Sequence, residues 1–114
     1  MARRNNNPDA VITRGTGNVF ADLGFPDASE RQAKLRLAYV LNQLIAQREL
    51  TQMAAATLLG LAQPKVSALQ NYKLTGFSVE RLMTLLTAFD QDVEIVIRQK
   101  PHSRRAARIS VVAA

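Results

Sequence analysis

Residues 50–73, LTQMAAATLLGLAQPKVSALQNYK, constrain the fold more than any other stretch of this chain. They predict two short helices broken by a turn at Gly60. Thr51 is placed to cap the first helix, because its hydroxyl accepts a backbone N–H that has no partner inside the helix. Ala55, Ala56 and Leu59 then fall on one stripe at helical spacing, small enough for two helices to cross closely. Gly60 ends the helix, since a residue without a Cβ turns the chain there at little cost. Leu61 plugs the gap between the helices. Val66 and Leu69, three apart, anchor the second helix inward. Gln63, Lys65, Ser67, Gln70 and Asn71 are left on its outer and flanking faces. This is the pattern of a helix-turn-helix, whose second helix enters the major groove of DNA.

That reading assigns a role to each outward residue. Gln52 opens the first helix of the motif, where its amide and nearby backbone N–H groups bind a phosphate at the positive end of the helix dipole. Gln63 opens the second helix, and an amide there bonds adenine through N6 and N7. Pro64 is tolerated in a first turn because its missing N–H would be unpaired anyway. Lys65 reaches guanine or a phosphate, Ser67 makes a short base-edge contact, and Ala68 offers its methyl to thymine. Asn71, Lys73 and Thr75 lie where the following loop runs along the DNA backbone. Each side chain alone would equally suit a solvated helix face. It is the set that points to DNA.

Around this motif the chain predicts further helices. Residues 1–17 are a polar tail, and Asn18 to Phe25 form one helical turn presenting Val19, Phe20, Leu23 and Phe25. These four pack on the domain's own core, on a symmetry mate, or on another protein. A long helix starts at Asp27, where Asp-Ala-Ser-Glu has capping-box spacing, and runs to about Gln47 on a stripe of Leu37, Val40, Leu41, Leu44 and Ile45. Ser78 caps a last helix, with Phe77 and Leu82 as a hydrophobic staple and Leu82, Leu85, Leu86 and Phe89 as its buried face. From Asp92 to Arg98 the period changes to two, with Val93, Ile95 and Ile97 alternating against Glu94, Val96 and Arg98. A lone strand cannot satisfy its backbone; Val11-Ile12-Thr13 and Ile109 to Val112 are weak candidates for a neighbour within the chain, and the same strand of a second subunit, antiparallel across a two-fold axis, is the more economical one. The expected fold is mainly α: a four- to five-helix bundle over residues 18–98, with one C-terminal strand at 92–98 paired in a homodimer.

Composition narrows the class. A length of 114 residues suits one small domain plus tails. The net charge of +6 favours a polyanionic partner. The residues after Glu94 carry Arg98, Lys100, Arg104, Arg105 and Arg108 and no acid. This 99–114 tail is either a solvated extension or an arm that adds sequence-independent phosphate contacts. The chain has no cysteine, hence neither a disulfide nor a thiolate zinc site, and suits a reducing cytoplasm. No apolar run has the ~20 residues of a membrane span, and MARRNNNPDA lacks the apolar stretch of a secretory signal. Nothing suggests an enzyme, a metal or a cofactor. His102, the single histidine, sits in the basic tail without acidic or apolar neighbours. Gly15-Thr-Gly17 is too short for a phosphate loop. Asp90, Asp92 and Glu94 alternate without the glycine turn of a calcium loop.

The residues Thr51-Gln52, Ala55-Ala56, Leu59-Gly60-Leu61, Gln63, Val66-Ser67 and Leu69 resemble the motif of the Cro-type phage repressors, the xenobiotic-response-element family. In that family the residue matching Gln52 binds phosphate and the one matching Gln63 reads bases. The stretches NVFADLGFPDA (18–28) and GFSVERLMTLLTAFDQDVEIVIR (76–98) resemble a narrower group, the antitoxins of host-inhibition-of-growth toxin–antitoxin pairs. The resemblance covers about Asn18 to Arg98. It implies a homodimeric repressor on double-stranded, palindromic operator DNA that autoregulates its operon and neutralises a toxin, an RNase. Two positions depart from the family. Ala62 stands where Ser or Thr is usual, and Gln70-Asn71-Tyr72 replaces a Glu-x-Gly ending. A stand-alone repressor and a basic protein- or RNA-binding module are the rival readings.

Overall fold

A computed structural model describes residues 28–113. It contains four helices: α1 (Ala28–Gln47), α2 (Gln52–Leu59), α3 (Gln63–Gln70) and α4 (Val79–Thr87). The chain divides into two units, one formed by Lys34–Glu94 and the other including Ile95–Val112. The first unit carries α2, α3, α4 and most of α1. The expected turn at 18–25, with Val19, Phe20, Leu23 and Phe25, and the Asp27 cap lie outside the described residues.

The 34–94 unit is built as the capping residues dictate. Thr51 takes extended backbone angles and its hydroxyl accepts the Ala54 N–H at 3.0 Å, which starts α2. Gly60 stops α2 in the left-handed conformation (φ 68°), and the next N–H, from Leu61, returns to the Ala56 carbonyl at 3.0 Å. No heavy atom lies within 4 Å of a Cβ built on Gly60, so the demand for glycine is one of backbone angle alone. Replacing Gly60 by alanine should therefore cost about 1 kcal/mol, the left-handed penalty without a clash. Urea unfolding would read this as a lower midpoint at unchanged slope. An equal midpoint would mean that the turn relaxes.

Ala62 starts α3 without any side-chain cap, as its sequence departure implies, and Pro64 occupies the first turn. At the other end Asn71 caps α3 and Tyr72 takes the left-handed position (φ 58°) that a glycine would fill more cheaply. The Lys73 N–H then closes on the Ala68 carbonyl at 2.9 Å. Ser78 caps α4 by accepting the Arg81 N–H at 2.9 Å.

Each helix contributes one apolar face to the interior of this unit. Leu37, Leu41 and Ile45 form an i, i+4, i+8 row on α1, with Ala38 beside them, and all four are buried. The expected stripe placed Val40 and Leu44 there too. Both are only half-buried because the row turns them to its margins. Ala55 and Leu59 of α2 and Val66 and Leu69 of α3 are buried, and Ala55, Val66 and Leu69 are wholly enclosed. Ala56 stays half-buried at the edge. Phe77 and Leu82, the expected staple, are both buried, as are Leu85, Leu86 and Phe89.

Two side chains tie distant segments together. Asn42 of α1 donates its amide to the Leu69 carbonyl at 3.1 Å, which fixes the C-terminal end of α3, while its own carbonyl oxygen is buried without a partner. Arg48 donates to the Phe89 carbonyl at 3.1 Å and lays its guanidinium 4.9 Å from the Phe89 ring centre. Its approach to Asp90 is long, at 3.9 Å, and both partners face water, so that ion pair contributes little.

Residues 91–100 take no regular secondary structure. The strand expected at 92–98 is thus absent from the single chain. Val93, Ile95 and Ile97 are 39, 74 and 92% exposed, and Val96 is also open. The physical reason is the one that governs any strand: without a neighbour there is no ladder to hold it.

Candidate nucleic-acid interface

Gln63 and Pro64, at the start of α3, are exposed, as are Lys65, Asn71, Lys73 and Thr75. Ser67 and Ala68 are half-buried on the same helix, and Gln52 is half-buried at the first position of α2. All nine expected contact residues lie within the 34–94 unit.

The structure adds bonds that spacing did not show. The Gln52 side-chain amide donates to the Gln70 side-chain oxygen Oε1 at 2.9 Å, and its own Oε1 accepts from the Gln63 side-chain amide at 3.5 Å. Three glutamines from the two helices of the motif are therefore joined in one chain. Gln70 is among the residues expected on the outer and flanking faces of α3, and it is not one of the expected DNA contacts. Its signal was available: it lies seven residues after Gln63, two turns along one face of α3.

Lys65 turns toward the loop that leads to α4. Its ammonium donates to the Gly76 carbonyl at 2.7 Å and sits 4.5 Å from the centre of the Phe77 ring. A Cβ at Gly76 would lie 2.7 Å from that nitrogen. The charge is still exposed, but it first holds the loop leading to α4. Asn71 likewise turns back, donating to the Ser67 carbonyl at 2.9 Å. Lys73 and Thr75 follow it on that loop, exposed and before the buried Phe77.

In the other unit, Lys100 donates to the Arg104 carbonyl at 2.7 Å and Arg104 to the Ala106 carbonyl at 3.3 Å. Burial, and then the neighbouring Arg104 charge, hold the Arg108 guanidinium below its usual range. Among the described residues no group of three or more His, Asp or Glu is placed to hold a metal ion. No helix among them is long and apolar enough to cross a membrane.

A short helix, a left-handed glycine, a three-residue turn and a second short helix with a polar outer face define a helix-turn-helix. Residues 19–98 match the helix-turn-helix domain family. The chain is also similar to a solved structure named as an XRE family transcriptional regulator. The two are 75% identical, the match covers 78% of this chain and 100% of that one, and the TM-score is 0.75. No curated protein matches the chain. The chain belongs to the XRE family of helix-turn-helix regulators.

Proposed function

We propose that this protein is a sequence-specific DNA-binding transcriptional regulator that works as a dimeric repressor. The observation that carries the reading is the exposed start of α3. There Gln63 stands at a helix N-terminus with Gln52 bonded behind it, so a base-reading amide and a phosphate-binding amide share one support. The loop residues Lys73 and Thr75 supply backbone contacts beside it, with Asn71, Ser67, Ala68 and Pro64 completing the surface. Lys65 adds positive charge to it while bracing the loop.

A second subunit places a second α3 on the next half-site, about 34 Å along the duplex. Val93, Ile95 and Ile97 are the residues proposed to pair across the two-fold axis. Their exposure in the single chain supports this, because an alternating apolar segment open to water is the edge that a partner strand covers. The resemblance of residues 18–28 and 76–98 to antitoxins supports a finer assignment: autoregulation of the operon and neutralisation of a toxin through Val19, Phe20, Leu23 and Phe25.

Gel-shift titration of two variants tests the DNA-reading core of this proposal. Gln63→Ala should weaken binding to cognate DNA by a factor that corresponds to ~1–3 kcal/mol, with little change on random DNA. Lys73→Ala should weaken both alike and lower the slope of log affinity against log salt by about 1. Identical losses on both DNAs for Gln63→Ala would refute base reading by that residue.

A further inference from the structure

Gln70 lies at the last position of α3, two helical turns from the residue proposed to read bases, and its side chain meets Gln52 rather than solvent alone. The direction of that bond matters. A glutamine amide has an oxygen end that accepts and a nitrogen end that donates. The Gln70 oxygen takes the nitrogen end of Gln52, which turns the Gln52 oxygen toward Gln63. The Gln63 amide therefore points its nitrogen inward, at 3.5 Å, and keeps its oxygen and its second N–H for the groove. One acceptor and one donor side by side are what adenine's N6 amino group and N7 require.

We infer that Gln70 is a specificity-determining positioning residue: acting through Gln52, it sets which way the Gln63 amide faces and so which base Gln63 prefers. The inference rests on the base-reading role proposed for Gln63. Gln70 need not touch DNA. While its oxygen faces Gln52, Gln70 excludes the flipped arrangement, in which Gln52 would present its nitrogen to Gln63 and reverse the order of donor and acceptor in the groove. A side chain held in one orientation before binding loses less freedom on binding, so the effect falls on discrimination as well as affinity.

Two substitutions separate this from a merely structural role. Gln70→Met keeps the length and removes the acceptor. Gln70→Glu keeps an acceptor that never donates, so the direction of the chain is retained while a negative charge is added. The probe is duplex DNA from immediately upstream of the coding sequence, together with its single-base-pair variants, bound to the full-length protein. Wild type should prefer its cognate base pair at the Gln63 position. Gln70→Met should lose roughly 5- to 10-fold of that preference, a part of what a bidentate contact provides. Gln70→Glu should bind all the duplexes more weakly yet keep the preference. In a Gln63→Ala background Gln70→Met should change nothing further at that pair.

The free protein gives a readout that does not depend on DNA. The side-chain amide resonances of Gln52 and Gln63 should both move in Gln70→Met and stay near their wild-type positions in Gln70→Glu. Unmoved resonances in Gln70→Met would overturn the inference, as would an unchanged preference in that variant or equal loss of preference in both. Resonances that move in Gln70→Met, together with a wild-type protein that prefers none of the duplexes, would instead overturn the proposed function and the specificity role with it.

Discussion

Phe89→Ala should destabilise the protein by about 3–5 kcal/mol, the largest single effect expected in the 34–94 unit. Phe89 is wholly enclosed, and its ring is also the surface on which the Arg48 guanidinium rests. Alanine would leave a cavity where the chain after α4 closes on the interior. It would also remove the stacking partner of Arg48, whose hydrogen bond to the residue 89 carbonyl would then hold a looser segment. For a domain of this size such a loss is a large fraction of the total stability. Denaturant unfolding should show a much lower midpoint, and DNA binding should fall only in proportion to the folded fraction. A loss below about 1 kcal/mol would mean that Phe89 is not a core residue.

The second large effect concerns the exposed segment after α4. Ile95→Lys combined with Ile97→Lys should convert the proposed dimer to a monomer in sedimentation equilibrium. Operator affinity should then fall by a factor on the order of 100 or more, since the second half-site is no longer engaged at high effective concentration. Both isoleucines are open in the single chain, so the substitutions place charge on an edge with no intramolecular packing to lose. The thermal stability of the monomer should accordingly change little. A variant that remains dimeric would show that the two subunits meet elsewhere.

The expected elements were legible where their cause is local. Thr51, Gly60 and Ser78 each act within a few residues, and the caps they form stand where the sequence put them. The missing cap at Ala62 was equally legible, because an alanine has no atom with which to accept. The staple of Phe77 and Leu82 also follows from spacing alone. What could not be read was the partner of a long polar side chain. Lys65 has many rotamers and, from its position, faces a groove; only the fold brings Gly76 and Phe77 beneath its ammonium. Gln70 and Gln52 are 18 residues apart, and Arg48 and Phe89 are 41 apart. Bonds at such separations depend on the helix crossing, not on any local pattern.

The segment 92–98 shows a different limit. Alternation of Val93, Ile95 and Ile97 records the face that a neighbour would cover, but not which chain supplies the neighbour. In the single chain the segment has regular sequence and no regular structure. Tyr72 shows a third. A bulky residue in a left-handed turn runs against local preference, and it is held there by the closing bonds at the end of α3.

On the proposed function, α3 reads sequence. The most direct test is a titration of the full chain against DNA from immediately upstream of the coding sequence, at near-physiological salt, with scrambled duplex as competitor. The expected result is tight binding that survives the competitor and a footprint with two-fold symmetry, its half-sites about one helical turn apart. Equal affinity for both duplexes would contradict it and would transfer DNA binding to the basic residues that follow Glu94.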